Sequence, residues 1–388
     1  RGAFELHRRL LHLDIDSNFF SASFSSQNAT LELGAKHKLL GKLLPRIERM
    51  LARAYKADKT RAIFSISPNW LHTDLTSVIK KLHPDVVHLH WVSSGMISPA
   101  YARQISQQIP VVWTLRDMNP LTGGCHLVEQ CNCWQRECGC CPQINSTDTK
   151  DISYKQLQDK IKELTDSSIT LLATSSRMHK LASESRLAQR LHQDVIPISI
   201  DTNQFSPRNK QACREALGLS AHRKYVLFSA LVFTRQAHKG WSFLQQALES
   251  LGASRDWQLL LVGDDCASLD GLEGTISYGR LLDSLTLSII YAAADVTILP
   301  SSEESFGKVA AESLASGTPV VITSEAGAVD FIEHSKTGWI FKPGDQDEAI
   351  KGIDHFLKQP ASAAISTSLA CAATATAFGD AAAQAHIK

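Results

Sequence analysis

Apolar positions in the first half of the chain alternate between helical spacing and short continuous runs. Phe4, Leu6, Leu10, Leu11 and Leu13 recur at helical intervals and predict a helix at the very start. Asn18 to Phe24 reads as strand-like. Residues 31–57 keep a helical period that Pro45 is expected to interrupt. Ala62 to Ser67 reads as a short strand. Asp85 to Trp91 (DVVHLHW), Val111 to Leu115 and Ser168 to Thr174 are brief and apolar, the pattern of strands buried in a parallel sheet. Helices are expected over Tyr101 to Gln108 and over residues 175–194, with a strand over Val195 to Ile200. A unit of this kind normally opens strand, glycine turn, helix. Here a helix comes first, with Gly2 as the tail of the turn, so the first strand is expected to be missing.

The second half repeats the rhythm. Strands are predicted at Tyr225 to Ser229, Gln258 to Val262, Thr275 to Tyr278, Val296 to Leu299 and Pro319 to Thr323, with helices near 241–251, 283–293 and 307–316. Alternation of this kind means a parallel sheet covered by helices on both faces. The expected organisation is an α/β chain of two Rossmann-like domains, 1–200 and 201–360. After Gln359 an Ala/Ser/Thr-rich tail, 361–388, reads as weakly structured or as a helix of poor amphipathicity.

Composition adds exclusions. Forty Lys and Arg against 39 Asp and Glu leave a net charge of +1, so nothing global argues for nucleic-acid binding. No apolar run approaches the roughly 18–20 residues of a membrane span. The opening RGAFELHRRLLHLD lacks the long apolar stretch and small-residue cleavage site of a signal peptide. A cytoplasmic protein is expected.

The candidate chemistry concentrates in ADVTILPSSEESFGKVAAESLASGTPVV, residues 294–321. A strand ends at Pro300, a polar loop follows, and a helix opens near Gly307. Free N–H groups and the positive end of the helix dipole suit a diphosphate there. Glu312, inside the helix, is placed for ribose hydroxyls, and Glu304, in the loop, for a sugar.

This segment resembles the signature of the retaining glycosyltransferases of family 4, with the GT-B fold. Its E-x-F-G-x4-E core is preceded by Pro-Ser and followed by GTPVV. Lys239-Gly240, LLVGDD (260–265), YAAADVTILPS (291–301) and TGWIFKPGD (337–345) follow the family's order, and WTLRDMNPLTGGCH resembles a subgroup of exopolysaccharide type. The resemblance implies transfer of a hexosyl unit, with retention, from a nucleoside-diphosphate sugar to a sugar or lipid-linked saccharide acceptor. It needs no cofactor for catalysis, and its setting is exopolysaccharide or lipopolysaccharide assembly. Lys239 would meet the diphosphate. Arg235, Ser305, Phe306, Gly307, Lys308, Glu312 and Gly2 would complete the donor site, with Glu304, His90 and Arg116 in catalytic positions. Many relatives have His-Asp where this chain has Arg116-Asp117, and arginine cannot act as a base at neutral pH. Two rivals stay open: a nonhydrolysing sugar-nucleotide epimerase, and a degenerate paralogue that binds sugar nucleotide without turnover.

Six of the nine cysteines fall within the loop 122–142. Cys125, Cys131, Cys138 and Cys141 form C-x5-C-x6-C-x2-C, which fits a structural, four-thiolate zinc or a metal-free loop. His88 and His90 alternate on one strand and so share a face. The basic residues of 36–56 interleave with leucines. They read either as an interfacial helix gripping anionic lipid, on the inner face of the membrane, or as a solvated basic face whose apolar side rests on the core. The second is favoured.

Overall fold

The structure, a computed structural model, describes residues 2–21, 35–54, 64–234, 236–251, 257–264, 274–281 and 283–387. It divides into two compact units, residues 3–196 and 197–388.

The N-terminal unit runs α1 (Gly2–His12), α2 (Ala35–Ala54), α3 (Thr76–Leu82), β1 (Val87–Leu89), α4 (Pro99–Ser106), β2 (Val111–Leu115), α5 (Ile152–Leu164), β3 (Ile169–Ala173), α6 (Ser176–Glu184) and β4 (His192–Val195). Among the described residues its strands form a parallel sheet in the order β1-β2-β3-β4, with Val87 opposite Val111 and Val111 opposite Ile169. Leu89, Trp113, Leu115 and Leu171 bury against Tyr101 and Ile105 of α4 and Leu157 of α5. The helices begin where the sequence supplies caps. The Ser98 hydroxyl accepts from the Tyr101 amide ahead of Pro99, and the Asp151 carboxylate accepts from Ser153 and Tyr154.

Several expectations change here. Pro45 does not break α2, which runs through it. Inward packing of Leu44, with Leu51 and Ala52 against the Phe64–Ile66 cluster, outweighs the roughly 3 kcal/mol that an interior proline costs. Residues 18–21 form no strand, and the rest of that run lies outside the described residues. In place of a strand over 62–67, Phe64 makes a single antiparallel bridge to Cys125. The strand expected at 195–200 lies earlier, at 192–195. Pro197 has no N–H to give a ladder, and Ile200 is instead buried in the second unit, its amide donating to Phe378 O.

The C-terminal unit runs α7 (Lys210–Ala216), β5 (Lys224–Ser229), α8 (Trp241–Leu251), β6 (Trp257–Val262), β7 (Thr275–Ser277), α9 (Ser284–Ala293), β8 (Val296–Leu299), α10 (Lys308–Ala315), β9 (Val320–Thr323), β10 (Gly338–Phe341), α11 (Gln346–Leu357), α12 (Ala361–Thr374) and α13 (Asp380–Ala385). Its described strands make one parallel sheet, β10-β9-β8-β5-β6-β7. The jump from β5–β6–β7 back to β8 on the other side of β5 is a topological switch, and ligands of open α/β sheets bind beyond the strand ends at such a point. Strands β5, β6, β8 and β9 are buried almost throughout, so each reads as a continuous apolar run.

Residues 361–388 are not a separate tail. Helices α12 and α13 belong to this unit, and Cys371, Ala375 and Phe378 are buried in its core. Of the two readings, the helix of weak amphipathicity is the one that forms. Alanine supplies helix propensity, and a few larger side chains supply the contact.

Candidate active site

The loop after β8 is fastened from two sides. The Ser302 amide donates to His238 O at 2.8 Å, and the Glu304 amide donates to Glu325 O at 3.1 Å. The Gly327 amide returns a bond to Glu304 O at 3.0 Å, and the Thr323 hydroxyl donates to Ser301 O at 2.6 Å. Residues 301–304 therefore lie between the turn before α8 and the exit of β9, and the direction of the Glu304 side chain follows.

It meets Lys239. The Lys239 Nζ lies 2.6 Å from Glu304 Oε2, both side chains being partly exposed. Lys239 closes a short 3-10 turn, and Gly240 follows at φ 74. A Cβ on Gly240 would sit 2.1 Å from Pro300 O, so only glycine lets this turn press against the end of β8. His238, half-buried beside Lys239, has its pKa lowered to about 4, by desolvation first and by the lysine charge second. It is neutral at neutral pH and adds no second positive charge beside Lys239.

Gly307 caps α10 at φ 93, with Leu299 and Ala328 within 3.2 and 3.4 Å of where a Cβ would stand. At this start the Ala310 and Ala311 amides bond Gly307 O at 2.9 and 3.3 Å, and the helix dipole there is positive. Lys239, Glu304 and this helix end thus lie beyond the C-terminal ends of the strands, where a cation and a positive helix end can meet an anion.

The other expected donor residues divide. Ser305 stands half-buried at the same loop. The Phe306 side chain is buried in the core and packs edge-on to Phe331, so only its backbone is available to a ligand. Lys308 pairs with Glu312, Nζ to Oε1 at 3.4 Å. Glu312 is only 3% exposed, and its Oε2 accepts from the Tyr291 hydroxyl at 3.2 Å. Tyr291 is a partner the sequence pattern did not single out, since an apolar helix such as α9 gives no polar signal. Arg235 lies outside the described residues. Gly2 heads α1 in the other half of the sequence.

In the N-terminal unit, His90 and Arg116 are brought together at the ends of neighbouring β1 and β2, Arg116 Nη2 being 3.4 Å from His90 Nδ1. The His88 and His90 rings lie 4.1 Å apart on one face, as alternation required, and His88 Nε2 is 2.7 Å from the Thr114 hydroxyl. Burial lowers the Arg116 pKa to about 10, opposed by the Glu5 carboxylate of α1, so the guanidinium stays charged at neutral pH and is no base.

Beside them lies a chain of contacts the sequence did not signal. Asp117 Oδ2 is 2.7 Å from His126 Nδ1, and His126 Nε2 is 2.8 Å from the Ser65 hydroxyl. The order is that of a serine–histidine–carboxylate triad, but Ser65 is buried and offers no approach to a substrate. Its role is to fasten the loop that begins at Asp117.

Lys160 fastens the same loop. Its buried ammonium donates to Asn119 O at 2.6 Å and Thr122 O at 2.8 Å, and burial lowers its pKa to about 8. The cysteines that follow were open to two readings, a four-thiolate zinc or a metal-free loop. Cys125 and Cys141 approach, Sγ to Sγ at 4.0 Å, but no group of three or more His, Cys, Asp or Glu among the described residues is arranged to hold a metal. Hydrogen bonds fasten the loop: the Cys141 amide to Asp151 Oδ2, the Gly139 amide to the Ser153 hydroxyl and the Cys140 amide to Asp148 O. The Cys125 contact lowers the Cys141 thiol to about 7, while burial pushes the Cys138 thiol up to about 12.

Residues 223–359 match the family model described as Glycosyl transferases group 1. An uncharacterized glycosyltransferase of Methanocaldococcus jannaschii is 29% identical over 177 residues, 43% of this chain and 44% of that protein. A D-inositol 3-phosphate glycosyltransferase of Segniliparus rotundus is 35% identical over 147 residues, 34% of this chain and 32% of that protein. The chain thus spans less than half the length of these two relatives. Among solved structures, the sucrose-phosphate synthase of Thermosynechococcus elongatus superposes with a TM-score of 0.68 at 18% identity, covering 98% of this chain and 90% of that one. Anabaena Alr3699/HepE in complex with UDP-glucose superposes at 0.56 with 19% identity, covering 81% and 80%. The protein has the GT-B fold, and residues 223–359 of its C-terminal unit are similar to the Glycosyl transferases group 1 family.

Proposed function

We propose that the protein is a retaining glycosyltransferase that moves a hexosyl unit from a nucleoside-diphosphate sugar to a hydroxyl of a saccharide acceptor. The observation that carries this reading is the 2.6 Å pair of Lys239 and Glu304 beside the glycine-capped start of α10. A cation and a helix N-terminus suit a diphosphate, and a carboxylate beside them suits sugar hydroxyls. As the bond from the anomeric carbon to the diphosphate oxygen breaks, negative charge gathers on the leaving group. Lys239 and the positive end of α10 would stabilise it without a divalent ion. The UDP and UDP-glucose complexes of Alr3699/HepE support a uridine nucleotide as the first donor to test. His90 and Arg116 would contact the transferred sugar or the acceptor. A cytoplasmic setting in exopolysaccharide or lipopolysaccharide assembly completes the proposal.

The test is incubation with UDP- and GDP-hexoses and saccharide acceptors in EDTA, with the product anomer read by proton NMR. A new glycoside with the donor's anomeric configuration is expected. Product of inverted configuration, or turnover that stops in EDTA, would contradict the mechanism. Tight nucleotide binding with no turnover on any donor would favour the degenerate binder.

Glu312 should act on binding. Glu312→Ala should weaken UDP or GDP affinity by roughly 1.5–3 kcal/mol, the scale of hydrogen bonds to a charged group. Calorimetric titration of the folded variant checks this, and an unchanged Kd would remove Glu312 from the donor site.

A further inference from the structure

The favoured reading of the basic segment gave its apolar residues to the core, and the structure divides them. On α2, Leu44 and Glu48 are buried, and the Glu48 carboxylate accepts the Ile66 amide at 2.9 Å. Leu43, Ile47 and Met50 point outward, 39%, 37% and 69% exposed. Their spacing is i, i+4, i+7, so at 3.6 residues per turn they form one stripe along the outer face. Arg46, Arg49 and Arg53, all exposed, run along one flank of it. The helix has one acidic residue, Glu48, and it is turned inward, so among the described side chains the outer face carries apolar and positive groups.

The helix is also fixed in place. Gly95, in the loop after β1, adopts φ 76, and a Cβ there would lie 2.7 Å from Leu44 Cβ. The buried side of α2 is therefore held against the loop that leaves β1.

We infer that the outer face of α2 is a membrane-docking surface for anionic phospholipid, with Leu43, Ile47 and Met50 entering the acyl boundary and the three arginines meeting headgroup phosphates. The charge argues for this occupant. A soluble helix normally turns a polar face to water, whereas exposed apolar residues flanked by arginine suit an interface that is apolar below and anionic above. Arginine binds phosphate in a fixed, bidentate geometry. The inference does not depend on the proposed transfer reaction.

The test is co-sedimentation of the full chain with vesicles of phosphatidylcholine alone or mixed with phosphatidylglycerol. Binding is expected to the mixed vesicles, to fall steeply with salt, and to be weak on phosphatidylcholine. Replacing Arg46, Arg49 and Arg53 with Gln should lower partitioning by about fivefold per arginine. Ile47→Glu with Met50→Glu should abolish it while leaving the circular dichroism spectrum and melting temperature intact. Equal sedimentation of wild type and variants, or none by wild type, would overturn the assignment. So would a dimer in light scattering that Met50→Glu dissociates, because the stripe would then cover a second copy. UDP affinity of the same variants, expected unchanged, keeps this result separate from the donor-site reading.

Discussion

Lys239→Ala is expected to lower kcat by about 10²–10³-fold, the scale for losing one preorganised electrostatic stabiliser. The ammonium stands 2.6 Å from Glu304 Oε2, so this pair is formed without a donor. Charge on the diphosphate grows as the glycosidic bond breaks, so Lys239 should hold the transition state more strongly than the ground state. Affinity for free nucleoside diphosphate should therefore fall less than kcat. The variant also leaves Glu304 without its cation, so a cycle with Glu304→Gln is needed to separate the two effects. If the double variant loses no more than either single one, the pair acts as a unit. A Lys239→Ala enzyme with normal kcat would remove the residue from the site.

The largest stability effect is expected at Asp295, at the opposite end of β8. Its Oδ2 is 2.6 Å from Arg214 Nη2 and accepts the Tyr225 amide at 2.8 Å, while Oδ1 is 3.3 Å from Lys210 Nζ. Arg214 is buried and also donates to Ala293 O at 3.0 Å, so its charge has little water to turn to. Burial lowers the Lys210 pKa, and the Asp295 carboxylate opposes that shift. Asp295→Ala would leave these cations uncompensated and a β5 amide unpaired. It should destabilise the C-terminal unit by about 3–5 kcal/mol. For a unit of this size that is a fall in Tm on the order of 10 °C. Arg214→Met combined with Asp295→Leu should recover much of the loss, because breaking a buried pair costs more than replacing it. A single variant melting within about 2 °C of wild type would show that solvent reaches the cluster.

The sequence by itself determined the α/β class, the strands β5, β6, β8 and β9, and the grouping of Glu304, Gly307 and Glu312. Those strands are buried on both faces, so their composition is dominated by burial rather than by partners. The loop residues follow a strand and precede a helix, an order visible in one dimension. Short or edge elements were less legible. Strand β10, four residues at the sheet edge, gave no separate pattern, and β4 is polar because it too is an edge.

Only the tertiary structure decided which side chains meet. Lys239 and Glu304 are 65 residues apart and touch because Gly240 lets one turn press on another strand's end. Tyr291 reaches Glu312, and Ser65, His126 and Asp117 link three separate segments, none of which a periodicity can show. The cysteine spacing left a metal and a metal-free loop open and could not show the hydrogen bonds to Asp151 and Ser153 or the buried Lys160 that fasten that loop. The leucines of α2 looked alike in sequence. Which of them face water was settled by where the neighbouring loop after β1 packs, because a helix with apolar residues on most of its surface does not by itself specify the side that is buried.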